Sequence, residues 1–104
     1  MNDMTIAQLQ SLKISLHIPP KYLQQPIIFD LASTCNLKIN ITSALLGEEA
    51  DGDGWFNLIL TGTKNSLRLA LEYLSTLEIE VWTNQDNKQI LLKDWDFEGW
   101  LLQD

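Results

Sequence analysis

Four runs of alternating apolar and polar residues, with two helical stripes between them, constrain this fold most strongly. In the run 12–18, leucine and isoleucine occupy the even positions and polar residues the odd ones. Successive side chains of a strand point to opposite faces, so this run predicts a strand buried on one side. Pro19-Pro20 is expected to end the strand, because proline has no N–H to donate to a neighbouring strand.

Two stripes at helical spacing predict amphipathic helices. The first begins at Pro26, where a proline loses nothing because first-turn N–H groups have no helical partner. Its apolar residues recur up to Cys35, and Asn36 is expected to end it. The second stripe follows Thr63, whose hydroxyl suits the N-cap, and continues to Leu77. Each helix is expected to turn its apolar stripe toward one core.

Three further strands are expected at 37–44, 55–61 and 79–82. In the run 37–44 the odd positions, including Ser43, are expected to face the core, and the even positions, including Ala44, the opposite side. Glycines and carboxylates are concentrated in the segment 48–54, which predicts a turn between two strands.

The element order β-α-β-β-α-β predicts an α+β, ferredoxin-like fold: an antiparallel sheet with two helices on one face. This domain is expected at residues 12–83, after an N-terminal arm at 1–11. The C-terminal extension, 84–104, is rich in large apolar residues and is expected to pack on the domain or on a partner subunit. It is expected to add a strand near 89–92 and a short helical segment near 97–102.

Helices on one face leave the other side of the sheet, the open face, without cover. Strand phase assigns to it Lys13, Ser15, His17, Asn40, Thr42, Trp55, Asn57, Ile59, Glu80 and Trp82. Two tryptophans and an isoleucine are too apolar for an ordinary solvated surface. We therefore expect a second subunit, the C-terminal extension or a ligand to cover this face. The first and last options are compatible if a pocket lies at a dimer interface.

Charge argues against a nucleic-acid partner. The chain carries 14 acidic and 7 basic residues, a net charge of −7, and its lysines and its arginine are scattered singly. A polyanionic backbone would be repelled by such a surface. Single-stranded RNA binding on the sheet would suit the fold, but basic and aromatic residues are missing at its centre.

The sequence predicts a cytoplasmic protein that does not insert into a membrane. Residues 1–10 lack a basic region followed by an apolar run, and no stretch has the apolar length needed to span a bilayer. The single cysteine, Cys35, allows no internal disulfide.

No set of residues supports catalysis, a cofactor or a metal. His17 is the only histidine, and Cys35 belongs to a buried helical stripe on another layer, without a base beside it. His17 is better explained by a polar contact on the open face. The Asp51–Gly54 segment suggests calcium, but the twelfth position from Asp51, where the calcium loop needs glutamate, is Gly62. We therefore expect a protein that is not an enzyme.

The joint order and spacing of several short pieces resembles the NIL domain family. The pieces are Pro26-Ile27-Ile28, Asn36-Leu37-Lys38-Ile39-Asn40-Ile41, Gly54, Leu60-Thr61-Gly62, Ala70-Leu71-Glu72-Tyr73-Leu74 and Ile79-Glu80-Val81. The Asn-Ile-Leu triplet that names the family stands here as Asn40-Ile41-Thr42. The resemblance covers residues 12–83 without a gap.

This resemblance implies a regulatory module. In members at the C-terminus of methionine-importer ATPase subunits, the domain pairs with its twin and holds methionine at the interface. For this chain, the resemblance therefore implies a homodimer that binds an amino acid or a similar small metabolite. The ligand site is then expected to comprise Asn40, Ile39, Ile41, Thr42, Pro19, Pro20 and His17. An asparagine amide suits this role, because it offers donors to a carboxylate and an acceptor to an ammonium group.

Two departures from the family pattern alter the expected site. The family often ends its first strand with an aromatic residue, a spacer and a glycine, where this chain has Ile18-Pro19-Pro20. Thr42 replaces the leucine of the triplet and makes the pocket wall more polar. The alternative hypothesis is a protein-interaction adaptor that uses the open face and the Trp-rich extension without a small ligand.

Overall fold

Five strands form one antiparallel sheet in the computed structural model, which describes residues 8–22, 25–46 and 53–102. The strands are β1 (Gln10–Ile18), β2 (Lys38–Leu46), β3 (Gly54–Gly62), β4 (Glu80–Gln85) and β5 (Lys88–Leu91). The helices are α1 (Ile27–Cys35), α2 (Lys64–Ser75) and α3 (Phe97–Leu101), with 3₁₀ turns at Pro20–Tyr22 and Leu92–Asp94. The spatial order β2-β3-β1-β4-β5 contains the four-stranded ferredoxin-like arrangement, so the predicted fold class is confirmed.

The core lies between the sheet and helices α1 and α2. On the central strand β1, Leu12, Ile14 and Leu16 are at most 1% exposed, and they pack with Leu31 of α1 and Leu67 of α2. Each buried side chain of this size contributes about 1.5–3 kcal/mol. The predicted phase of β1 is therefore confirmed, and we call the covered side of the sheet the helix face.

The helix ends follow from local chemistry. Helix α1 begins after Pro26 and ends at Asn36, which has a left-handed backbone (φ 56°) and donates its N–H to the carbonyl of Ala32. Helix α2 begins after Thr63, whose hydroxyl accepts a 3.1 Å hydrogen bond from the N–H of Ser66. These ends confirm the predicted stop at Asn36 and the N-cap at Thr63, whereas Pro26 occupies the N-cap position rather than the first turn.

A β-bulge at Thr42 corrects the predicted phase of β2. Ile41 lies opposite Leu58 while Ser43 lies opposite Asn57, so β2 contains one extra residue. An extra residue reverses the alternation beyond it. Ser43 consequently faces the open face and Ala44 the helix face, so both predicted orientations were wrong.

The extension adds strand β5 and helix α3, as predicted. A two-residue turn, in which Asp86 and Asn87 have φ of 51° and 63°, joins β4 to β5. Asparagine and aspartate tolerate the positive φ that such a turn requires. Helix α3 is capped by Asp96, whose carboxylate accepts a 2.9 Å hydrogen bond from the N–H of Gly99.

Helix α3 and the residues just before it pack on the helix side of the sheet. Trp95, Phe97 and Trp100 are partly buried against the core, and Arg68 of α2 binds both carboxylate oxygens of Glu98 at 2.8–3.0 Å. This part of the extension therefore does not cover the open face. The division into an arm at 1–11, a domain at 12–83 and an extension at 84–104 stays a prediction.

No helix within the described ranges is long and apolar enough to cross a membrane. The predicted turn at 48–54 falls mostly outside the described residues, which resume at Asp53.

Candidate ligand-binding face

Strand register arranges the open face in three rows. The first row contains Asn40, Ile59 and Lys13, on β2, β3 and β1 respectively. The second and third rows consist, from β2 to β4, of Ser43, Asn57, Ser15 and Trp82, and of Leu45, Trp55, His17 and Glu80. Asn40, Trp55 and Trp82 thus all lie opposite the helix face, as the phase of the strands predicts.

A chain of hydrogen bonds, here called the polar ladder, crosses the centre of this face. Asn84 Nδ2 donates to Ser15 Oγ at 3.2 Å, and Ser15 Oγ donates to Asn57 Oδ1 at 2.5 Å. Asn57 Nδ2 in turn donates to Ser43 Oγ at 2.6 Å. The ladder therefore links β4, β1, β3 and β2, and it satisfies the hydroxyl of Ser15, a residue only 6% exposed.

A small cavity lies above the ladder, beside the first row. It has a volume of about 300 Å³, and its lining includes Lys13, Thr42, Asn57, Ile59 and Asn84. The Thr42 hydroxyl donates to the carbonyl of Asn57 at 3.1 Å, which holds the bulge at the edge of this cavity. The wall thus combines amide, hydroxyl and ammonium groups with apolar residues, among them Ile59.

Asn40 lies at the edge of the first row, exposed, across from Ile59. Its amide makes no side-chain hydrogen bond to any residue within the described ranges. The described side chains therefore leave the two donors and the acceptor of this amide unused.

The third row forms the apolar end of the open face, defined by Leu45 and Trp55. Leu45 is 70% exposed and Trp55 45% exposed. The indole of Trp55 stacks on the His17 ring, with ring centroids 4.2 Å apart and an interplanar angle of 20°. His17 Nε2 lies 2.7 Å from Asp53 Oδ2, so the histidine makes the polar contact expected for it.

The structure brings together only part of the predicted site. Asn40 and Thr42 share one end of the open face, whereas His17 lies four positions along β1 from Lys13, about 13 Å away along the strand. Pro19 and Pro20 follow beyond the end of β1. Ile39 and Ile41 point to the helix face, because they lie opposite Leu60 and Leu58. The structure therefore does not bring His17 or the prolines of the same chain together with Asn40.

Three groups around the cavity were not singled out from the sequence. Lys13 and Asn57 follow from strand phase alone, but nothing local marks them as cavity residues. Asn84 was assigned to the extension, and its place in the ladder depends on the pairing of β4 with β1.

In the described parts of the chain, no three metal-ligating side chains lie together. Cys35 is buried in the core, and burial raises the pKa of its thiol.

The fold and the open face define a class: a small ferredoxin-like module with helices on one side of its sheet. The family model described as the NIL domain matches residues 12–83, and the chain belongs to this family. Membership supports a regulatory module and suggests a non-enzymatic role. Strand β5 and helix α3 lie outside the matched residues.

Two proteins are similar to this chain in sequence and one is similar in structure. An uncharacterized protein of Synechococcus elongatus is 38% identical over 78 residues, which cover 75% of this chain and 96% of that protein. An uncharacterized protein of Synechocystis is 38% identical over 72 residues, covering 69% and 73%. The crystal structure of the C-terminal domain of an ABC transporter/ATP-binding protein from Enterococcus faecalis is similar in fold. It has a TM-score of 0.62 at 18% identity and covers 72% of this chain and 84% of that one.

Proposed function

We propose that this chain is a regulatory module that binds an amino acid, such as methionine, at the interface of a homodimer. The exposed amide of Asn40 carries the proposal. It stands in the family's Asn-Ile-Leu position, on the open face, and no described side chain takes up its hydrogen bonds. An amide so placed can contact both the carboxylate and the ammonium group of a free amino acid.

The apolar end of the open face supports the homodimer. Leu45 and Trp55 expose large apolar surfaces, and helix α3 lies on the other side of the sheet. A second copy that packs on this face would remove those side chains from water. A two-fold interface pairs the same patch on both subunits, so one contact serves both copies. We further propose a cytoplasmic location, where the free thiol of Cys35 stays reduced.

A thermal-shift screen against the twenty amino acids tests the ligand. At a hundred times its dissociation constant, a ligand adds about 2.7 kcal/mol to the free energy of unfolding, which raises the Tm of a domain of this size by about 10 °C or more. Asn40→Ala should abolish the shift and preserve the fold. Asn65→Ala, on the exposed surface of α2, is the matched control and should retain it. A shift that survives Asn40→Ala would contradict the site.

The competing function is a protein-interaction adaptor, and the exposed apolar end of the open face favours it too. The aromatic residues of the extension contribute less to such a surface, because Trp95 and Trp100 are partly buried against the chain's own core. An adaptor would show no thermal shift with any amino acid and would still lose partner binding when Trp55 is replaced.

A further inference from the structure

The polar groups of the open face divide into those already paired and those that are not. The polar ladder uses the hydroxyls of Ser15 and Ser43 and both ends of the Asn57 amide. Groups that are satisfied by each other have little to offer a ligand. In the parts of the chain that the structure describes, neither Asn40 nor Lys13 makes a side-chain hydrogen bond or an ion pair.

Asn40 and Lys13 lie in the same row, on either side of Ile59. Because neighbouring strands are about 4.8 Å apart, their Cα atoms are roughly 10 Å apart. The flexible lysine side chain is long enough to reach over Ile59 toward the amide. Lys13 and Ile59 also line the 300 Å³ cavity. A small molecule seated on Ile59 would therefore contact both groups.

The positive charge of Lys13 determines which chemical group of a ligand this side chain binds. Strands β1, β3 and β4 contain no other lysine or arginine, so Lys13 is the one such residue on the three central strands, where the sequence had predicted none. An ammonium group donates three hydrogen bonds and accepts none, so it suits a carboxylate. The net charge of −7 disfavours ligands that carry several negative charges.

We propose that Lys13 binds the carboxylate of a singly charged small ligand, while Asn40 contacts the neighbouring polar group. The ligand class is then a free amino acid or another small monocarboxylate, and its amide derivatives are rejected. This inference rests on the proposed function, because it assumes that the same face binds the ligand. It adds a specificity-determining residue outside the Asn-Ile-Leu triplet.

Isothermal titration with L-methionine and with L-methioninamide, which lacks the carboxylate, tests this role on the full chain. A hydrogen bond to a charged group contributes enough that Lys13→Met should weaken methionine binding about 10- to 150-fold. Lys13→Arg, which retains the cation, should lose far less. Lys64→Met is the matched control, because Lys64 is an exposed lysine at the start of α2, on the other side of the sheet, and it should bind like the wild type. Methioninamide should bind weakly to the wild type and no more weakly to Lys13→Met.

Two results would overturn the inference. One is a Lys13→Met protein that binds methionine as tightly as the wild type does, and the other is equal affinity of the wild type for methionine and methioninamide. Either result leaves the proposed amino-acid site in place. If the wild type binds no amino acid in the screen, the proposed function and the role of Lys13 fail together. The Tm of Lys13→Met without ligand should equal that of the wild type, because the replaced side chain is exposed.

Discussion

Replacing Trp55 by alanine tests whether the open face pairs with a second copy. Trp55 is 45% exposed in the single chain. Since a tryptophan presents up to about 250 Å², roughly 110 Å² would be left for a partner to bury. At about 25 cal/mol per Å², this area is worth roughly 2.8 kcal/mol in each copy. A two-fold interface contains the residue twice, so dimerisation should become less favourable by up to about 5.6 kcal/mol.

We therefore expect Trp55→Ala to raise the dimer dissociation constant at least 100-fold, even if only half of this energy is realised. Sedimentation equilibrium over a range of concentrations measures the change. Phe29→Ala is the matched control, because Phe29 is 69% exposed on α1, which lies on the helix face. Loss of the stack on His17 should lower the free energy of unfolding of the monomer by about 0.5–1.5 kcal/mol, in addition to the loss from the part of the indole that the monomer already buries.

Two outcomes would refute this reasoning. The first is a Trp55→Ala protein that dimerises as tightly as the wild type does. The second is a Phe29→Ala protein whose dimerisation is weakened as much as that of Trp55→Ala. A wild type that stays monomeric at high concentration would remove the proposed interface altogether.

Three further predictions concern stability and need only urea unfolding. Gly62→Ala should lower the free energy of unfolding by about 1–3 kcal/mol, because the added Cβ would lie 2.5 Å from Cδ2 of Leu37. An unchanged free energy of unfolding would show that Leu37 moves aside freely. A double-mutant cycle on Arg68→Met and Glu98→Gln should give a coupling below about 1 kcal/mol, because the two side chains are 33% and 63% exposed; a larger coupling would contradict this. Burial raises the pKa of Cys35 above 9.0 in the folded chain. When the pH rises above 9.0, the thiol therefore loses its proton first in the unfolded chain. This favours the unfolded state, so the stability that the buried thiol contributes is lost as the pH rises. The difference in free energy of unfolding between the wild type and Cys35→Ala should then narrow by up to about 1.4 kcal/mol per pH unit, and a constant difference would refute the argument.

Local sequence was sufficient for the elements and for most of the strand phase. Alternation is a property of each strand by itself, so the even positions of β1 could be assigned to the core before any pairing was known. The same phase placed Asn40, Trp55 and Trp82 on the open face, where the structure has them. The ends of α1 and α2 were also predictable, because Pro26, Asn36 and Thr63 act on backbone groups a few residues away.

The candidate site could be predicted only in part. Asn40 and Thr42 were identified through the triplet and remain neighbours on one face. The distance of His17 from them was not visible in the sequence, because it depends on how β1 is aligned with β3 and β2. The role proposed for Lys13 depends on the same alignment, which places it across Ile59 from Asn40.

The sequence by itself determined the order of the elements and the side of the sheet on which most residues lie, because periodicity and capping depend on near neighbours. Only the tertiary structure decided the bulge at Thr42, the polar ladder and the packing of α3 against α2. Each of these joins residues far apart in the chain, as Asn84 joins Ser15 and Arg68 joins Glu98. Such contacts depend on which residues of separate segments lie side by side, and the periodicity of one segment does not determine its partner in another.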